Sequence, residues 1–234
     1  THERKMHLVV EAQAQLCYPE KIAWLAEKHP GCTIALGLEA YDDTVLRFHV
    51  NKGFSTKQWH KAVDLLRKHN LRVKTYLIFK PPFMSEGDAL SHTTKWVKKV
   101  APLSDEVSIN PMNIQRSTIV DRLFRNREFR PPWLWSLVDM IEQTHAEISQ
   151  LDCRTIVHPT AGGRIRGAHN CGSCDEDIVA AIERYSVSGS LEEFSGIDCS
   201  CKKVWSMEIY SDNNLPISLG SGVDRRSSRT DTVR

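Results

Sequence analysis

The chain has 234 residues, of which 41% are hydrophobic and 26% are charged, as in a globular protein with one sizeable core. The formal net charge is only +2, so composition alone does not indicate a nucleic-acid-binding protein, and that case depends on local clusters. No apolar run reaches the length of a membrane span and no secretory signal is present, so we expect a cytoplasmic protein with no membrane partner.

Strand-like and helical patterns alternate along the first two thirds of the chain. Apolar runs typical of strands cover 8–10, 33–38, 73–79, 106–109 and 154–157. Helical spacing predicts four helices. The first covers 19–28, the second begins at the capping pattern of Ser55 to Gln58, the third begins after Ser85, and the fourth begins at Pro132. Residues 42–50 indicate a short helix or an irregular segment. Strand followed by helix four times over predicts an α/β fold with a parallel sheet, curled into a barrel or part of one.

A polar residue directly follows each predicted strand. These residues are Glu11, Glu39, Lys80, Asn110 and His158. Because the carboxyl ends of parallel strands lie on one face, where such folds build their active sites, we expect some of these side chains to be functional. Strands must end in something polar, so the others are simple boundary residues.

Two arginine-containing stretches are candidates for contact with RNA. Arg164 and Arg166 lie in a glycine-rich loop, whose flexible backbone suits phosphate contact. Arg125 and Arg127 belong to a second cluster, in which arginines alternate with aromatic residues. That mixture suits RNA, because stacking and phosphate contact combine there. An exposed basic helix beside a buried aromatic face explains the same residues.

Four of the seven cysteines lie close together near the end of the sequence. Cys171 and Cys174 form a C-x-x-C pair, and Cys199 and Cys201 form a C-x-C pair. Two such pairs can bring four thiolates onto one ion, which predicts a closed structural zinc site. His169 could replace one of the cysteines. An auxiliary iron–sulfur cluster and two unrelated thiol pairs are the alternatives.

These patterns divide the chain into three parts. We predict the barrel in 1–160, a small cysteine-rich metal-binding segment in 161–216, and a disordered tail in 217–234, where the residues are small, charged and without periodicity.

Several short motifs resemble those of radical S-adenosylmethionine (SAM) enzymes. The first group is Gly37-Leu38-Glu39, Asn51-Lys52-Gly53-Phe54 and Lys80-Pro81-Pro82-Phe83. A second group narrows the resemblance to the Elp3-like branch, and within it to the archaeosine-biosynthesis radical SAM proteins (RaSEA). That group comprises Ser108–Pro111, Asn113–Arg116, Arg130–Trp135 and Arg166–Asp175.

The resemblance implies a fold, cofactors and binding residues. The fold would be a partial (β/α) radical SAM barrel lacking its N-terminal strands, with Glu39, Glu11, Lys80 and Asn110 contacting or orienting SAM. The family's C-x-x-x-C-x-x-C loop, which holds a 4Fe-4S cluster, is absent, and we expect it upstream of Thr1. The stretch from Glu11 to Ala14 also departs from the family's Glu-x-Arg-Pro.

The function implied is tRNA modification. An enzyme of this kind would form archaeosine by C–N cleavage of a lysine adduct on 7-deazaguanine in tRNA, and its partner would be the archaeosine synthase subunit that attaches the lysine. The resemblance identifies no catalytic residue in this chain. Two alternatives are another Elp3-like radical SAM enzyme acting on RNA or protein, and a non-enzymatic zinc-bearing RNA-binding scaffold.

Overall fold

Five parallel strands form one sheet in the computed structural model, which describes residues 6–214. The strands are β1 (Val9–Ala12), β2 (Thr33–Glu39), β3 (Arg72–Phe79), β4 (Glu106–Pro111) and β5 (Arg154–Val157). They lie in the sheet in the order in which they occur along the chain, and every neighbouring pair is parallel. The predicted parallel sheet of a partial barrel is therefore confirmed.

Helices connect the strands and cover one face of the sheet. They are α1 (Pro19–Lys28), α2 (Asp43–Val45), α3 (Thr56–Lys68), α4 (Glu86–Val100), α5 (Ile119–Arg125), α6 (Leu134–Ile148), α7 (Asp175–Ser188) and α8 (Cys201–Asn214). A turn of π-helix, Leu46–Val50, continues α2. The segment predicted to be a short helix or irregular is therefore a short helix with an irregular second half. The capping box predicted at Ser55 opens α3.

The two faces of the sheet differ because side chains alternate along each strand. In β3, Val73, Leu77 and Phe79 are fully buried and join the helices in the main hydrophobic core. On the other face of the same strand, Lys74 and Tyr76 are only half-buried. The helices therefore cover one face, and the uncovered face is polar, as in the interior of an open (β/α) barrel.

Three strand ends differ from the prediction. Glu11 and Glu39 lie within β1 and β2, and β4 continues through Pro111, two residues beyond the expected end. Asn110 is therefore a strand residue paired with Ile78, and does not follow the strand. The ladder with β3 extends as far as Phe79 and holds β4 in the extended conformation to that level.

The cysteine-rich segment packs on the barrel. Ile178 and Ile182 of α7 belong to the same hydrophobic cluster as the sheet. Helix α8 packs along α4, where the Asp212 carboxylate accepts a hydrogen bond of 2.9 Å from the Gly87 amide. The boundary at residue 160 stays a prediction, and the tail predicted for 217–234 lies outside the described residues. No helix in 6–214 is long and apolar enough to cross a membrane.

Candidate active site and four-cysteine centre

The carboxyl edge of the sheet brings together three of the four predicted SAM-contacting residues. Glu39 pairs in register with Leu77, Asn110 pairs with Ile78, and Lys80 directly follows β3. Glu11 lies elsewhere, because it is level with Ala35 and thus with Glu106 at the start of β4. Four residues of strand separate that level from Asn110, a distance of about 13 Å.

An irregularity in β2 sets the direction of the Glu39 side chain. The register between β2 and β3 shifts between Gly37 and Glu39, and Glu39 has the left-handed φ of 72°. Its carboxylate lies 3.0 Å from Nζ of Lys52, and both side chains keep about a fifth of their surface exposed (18% and 19%). The Glu39 carboxylate and the ammonium of Lys52, from the Asn-Lys-Gly turn, therefore form one accessible ion pair at the carboxyl edge of the sheet, which we call the rim.

Glu11 has a different environment on the polar face. Its carboxylate accepts a hydrogen bond of 2.9 Å from the Tyr76 hydroxyl, and Lys74 beside it forms an ion pair of 2.7 Å with Glu106. These groups line the interior of the open barrel, below the rim that carries Glu39.

Lys80 is buried and paired. Its φ is 58°, and its ammonium lies 2.7 Å from Oε2 of Glu86, which is fully buried at the start of α4. The other oxygen of Glu86 accepts from the Trp133 backbone amide at 2.9 Å. Glu86 is a partner that the sequence did not reveal, because a glutamate in the first turn of a helix is ordinary there.

Strained backbone is concentrated around the carboxyl edge. Of the non-glycine residues with positive φ in 6–214, Glu39 ends β2 and four lie in loops that directly follow strands, namely Lys80, Phe83, Ser117 and Ala161, whereas Asn51, Asn70 and Arg127 follow helical segments. Such conformations cost free energy and cluster at functional sites. The distribution therefore marks the same edge as the polar side chains do.

Two aromatic side chains at this edge are exposed, which the sequence did not predict. Phe48 lies in the π-helical turn after β2 and is 65% exposed, and Phe83 after β3 is 41% exposed. The guanidinium of Arg47 lies over the Phe48 ring, and the His49 ring packs edge-on against Phe83. The sequence pattern does not predict this arrangement, because the residues of the irregular helix follow no amphipathic period.

The four predicted metal-binding cysteines meet in one place. All four sulfur atoms lie within 4.8 Å of one another, with separations of 3.7 Å for Cys171 to Cys199 and 3.6 Å for Cys174 to Cys201. Four bonds of about 2.3 Å from a tetrahedral zinc ion to sulfur would place the sulfur atoms about 3.8 Å apart. A four-iron cluster separates its thiolates further, because each is bound to a different iron. The spacing therefore suits a single ion.

Hydrogen bonds shape the loop that carries the first cysteine pair. The Asp175 carboxylate accepts from the amides of Asn170 and Gly172, at 2.8 and 2.7 Å. The Asn170 side chain and the Trp135 indole donate to the sulfur atoms of Cys174 and Cys201. These donors orient the sulfur atoms, as the outer partners of metal ligands do.

The thiols of this centre differ in acidity. A hydrogen bond from the Ser173 amide lowers the pKa of Cys171 to about 6. Burial raises the pKa of Cys174 to about 12 and also raises the pKa of Cys201. The thiols of Cys174 and Cys201 therefore stay protonated at neutral pH unless a bound cation displaces their protons. His169 is not part of the group of four sulfur atoms, and its Nδ1 lies 2.8 Å from the Gly167 carbonyl.

The four predicted RNA-binding arginines differ in exposure and in pairing. Arg125 and Arg166 both form ion pairs with the buried Asp121, at 2.7 and 2.6 Å. Arg127 and Arg164 are exposed, and Arg164 lies beside His158 at the end of β5. Two of the four guanidiniums are thus partly neutralised within the fold.

Comparison with known proteins gives relatives in sequence and in structure. No family model matches the chain. It is 32% identical over 203 residues to archaeosine synthase subunit beta of Methanosarcina acetivorans, covering 87% of the chain and 56% of that protein. It is 33% identical over 211 residues to the protein of the same name from Thermococcus kodakarensis, covering 89% and 64%. The chain thus spans less than two thirds of the length of these curated relatives.

A solved structure of Methanocaldococcus infernus Elp3 shares the fold. The TM-score is 0.61 at 20% sequence identity, and the match covers 82% of this chain and 43% of the Elp3 chain. The resemblance drawn from the sequence motifs is therefore confirmed. This chain is a homologue of the archaeosine synthase beta subunits, with the fold of an Elp3-like radical SAM protein.

Proposed function

We propose that this chain contributes the carboxyl edge of the active site in a radical SAM enzyme that modifies tRNA, and that the product is archaeosine. The observation that carries the proposal is the meeting of Glu39, Lys80 and Asn110 at one strained edge of a parallel sheet. The names of the two relatives support archaeosine as the product, which would form by C–N cleavage of a lysine adduct on 7-deazaguanine.

Glu39 is the principal SAM-contacting residue in this proposal. Its carboxylate is accessible at the rim and suits an ammonium or ribose hydroxyls through charge-assisted hydrogen bonds. Asn110 is half-buried at the same level and orients SAM or the substrate. Lys80 acts through Glu86, since its ammonium is already paired. Glu11 lies too far from the rim to contact the part of SAM that Glu39 binds, and its carboxylate lies in the interior of the barrel.

In this proposal the 4Fe-4S cluster is bound by residues outside this chain. None of the 234 residues forms a C-x-x-x-C-x-x-C loop; of the three cysteines outside the group of four, Cys17 alone follows a strand, and Cys32 and Cys153 precede the strands they adjoin. We propose that the cluster ligands precede Thr1. The cluster and SAM together would supply hydrogen-abstracting radical chemistry, and this chain would position the reactants and exclude water.

The four cysteines hold a structural zinc ion in this proposal. Sulfur separations of 3.6 to 4.0 Å suit tetrahedral coordination, and four protein ligands leave no open position for chemistry. The ion would join the loop before α7 to the first residue of α8, and so hold α8 against α4.

The tRNA would lie across the carboxyl edge. Arg127 and Arg164 offer exposed guanidiniums for anionic groups of the modified tRNA, and Phe48 offers an exposed ring for an unstacked base. Arg125 and Arg166 contribute more weakly, because both are ion-paired with Asp121. The protein partner we propose is the archaeosine synthase subunit that attaches lysine, since both relatives are named as subunits.

The test uses the complete coding sequence, including whatever precedes Thr1. The protein is reconstituted with iron and sulfide, reduced, and given SAM and tRNA that bears the lysine adduct. We expect 5′-deoxyadenosine and archaeosine to form together, and the Glu39→Gln variant to lose both. The Asn70→Ala variant, at the opposite edge, should keep both activities.

Two other functions are separated by the same experiment. Another Elp3-like radical SAM enzyme would release 5′-deoxyadenosine without archaeosine. A zinc-bearing RNA-binding scaffold would bind tRNA and form neither product, and that candidate is favoured if the complete coding sequence has no cysteine triplet upstream of Thr1.

A further inference from the structure

A cavity of about 500 Å³ opens beside the carboxyl end of β3. It lies between the β3–α4 loop, the connection from α5 to α6, and helix α8. Met84, Phe124, Phe129 and Ile165 give it apolar walls. Its size is that of a small-molecule site, in which apolar walls combine with a few placed polar groups.

The buried pair of Lys80 and Glu86 forms part of the wall and is not available to a ligand. Lys80 donates to one carboxylate oxygen, and the Trp133 amide donates to the other. The ammonium also lies 5.5 Å from the centre of the Phe129 ring. Recognition must therefore come from other charged groups.

Helix α8 supplies two carboxylates one turn apart. Glu208 accepts from the Trp133 indole at 2.8 Å, and Asp212 accepts from the Gly87 amide at 2.9 Å. Each contact uses one oxygen, and within 6–214 no hydrogen bond reaches the other oxygen of either residue. Like charges four residues apart on a helix repel, so a cation held between the two free oxygens would be favourable.

The connection from α5 to α6 supplies the opposite charge. Arg127 is exposed, has a strained φ of 62°, and has no ion-pair partner among residues 6–214. Arg130 beside it is occupied, since it stacks at 3.8 Å on Trp133 and donates to the carbonyls of Pro131 and His169. Arg127 is therefore the group with free capacity to bind an anion.

We propose that this cavity binds the head group of an amino acid. Glu208 and Asp212 hold its ammonium, Arg127 holds its carboxylate, and Phe124 and Phe129 line the path of an aliphatic chain. A ligand with a single charge would leave one wall without a partner, whereas a zwitterion satisfies both. The identity of the amino acid rests on the proposed function, in which the lysine adduct on the tRNA base carries a free α-ammonium and α-carboxylate.

The experiment titrates the chain with L-lysine and follows binding by calorimetry. We expect saturable binding at millimolar lysine, at least tenfold weaker in Arg127→Gly and in Glu208→Gln. Glycine tolerates the positive φ at position 127, and a glutamine can still accept from the Trp133 indole, so both variants should fold. Arg122→Ala removes an exposed arginine of α5 outside the cavity lining and should bind as the unmodified chain does.

Pentylamine, which lacks the carboxylate, should bind weakly and equally to the unmodified chain and to Arg127→Gly. Absence of saturable lysine binding, or binding that neither cavity variant weakens, would overturn the assignment. If lysine does not bind while the complete protein forms archaeosine, only the cavity assignment fails. If lysine binds as expected and no archaeosine forms, the proposed function fails instead.

Discussion

Gly37 and the Glu39 carboxylate occupy neighbouring space so closely that a side chain at position 37 would collide with it. A Cβ built on Gly37 would lie 2.9 Å from Oε1 of Glu39 and 3.4 Å from Nζ of Lys52. The Glu39 carboxylate folds back over the residue two positions before it, so it keeps this position only while residue 37 has no Cβ. Glycine keeps the rim open for the ion pair.

Replacing Gly37 with alanine should therefore impair SAM binding more than stability. The nearest atoms are the ends of flexible side chains, so we expect the free energy of unfolding to change by less than about 1 kcal/mol. The displaced carboxylate should weaken SAM binding to the complete protein at least tenfold by equilibrium dialysis. Gly53→Ala is the matched control, because nothing lies within 4 Å of its added Cβ. Equal SAM affinity in both variants would contradict this account.

The Lys80→Met variant should lose much stability, because it leaves the Glu86 carboxylate buried without its cation. The side chains of Lys80 and Glu86 are only 5% and 0% exposed, and breaking such a pair costs about 3–5 kcal/mol. Urea unfolding measures the loss. The double variant Lys80→Met, Glu86→Gln should recover most of it, because a glutamine oxygen can still accept from the Trp133 amide. Lys28→Met, which breaks an exposed pair with Glu27, should cost no more than about 1 kcal/mol.

The sequence predicted the strands and the cysteine centre because both are encoded by local spacing. Short apolar runs predict the strands, and two closely spaced cysteine pairs predict the metal ligands. It did not predict that Asp121 joins Arg125 and Arg166, since position 166 lies far along the chain and only the packed loops bring it near. Nor did it place Glu11 below the rim, because the register between strands depends on contacts that no local pattern contains.

Asp121 should make stability depend on pH in acid. The hydrogen bond from the Arg166 guanidinium lowers the pKa of Asp121 to about 2, well below the value of about 3.9 in an unfolded chain. A depressed pKa in the folded state gives stability that is complete above pH 4 and is lost as the pH falls towards 2. The melting temperature of Asp121→Asn should therefore lie below that of the unmodified chain at pH 7, and the two should converge near pH 2. A constant difference across that range would rule out this role.

Metal analysis should find one equivalent of zinc in the purified chain. Cys174→Ser removes a buried ligand and should abolish zinc binding and lower the melting temperature, and a chelator should have the same effect on the unmodified chain. Cys153→Ser is the matched control, because Cys153 lies at the amino end of β5, outside the group of four. Iron with visible absorption, in place of zinc, would show that the site holds a cluster.

Phe48 should contribute to tRNA affinity by stacking on a base. The ring is 65% exposed, lies under the Arg47 guanidinium, and belongs to the same edge as Glu39. Loss of stacking on one base costs about 1–3 kcal/mol, so Phe48→Leu should weaken tRNA binding by that amount in a filter-binding assay at fixed salt. Leucine keeps the residue apolar and should leave the melting temperature unchanged. Trp24→Leu is the control, since this ring is 58% exposed on α1, away from the rim. If both variants lose affinity equally, binding depends on general surface contact, and the carboxyl edge is not the RNA-binding face.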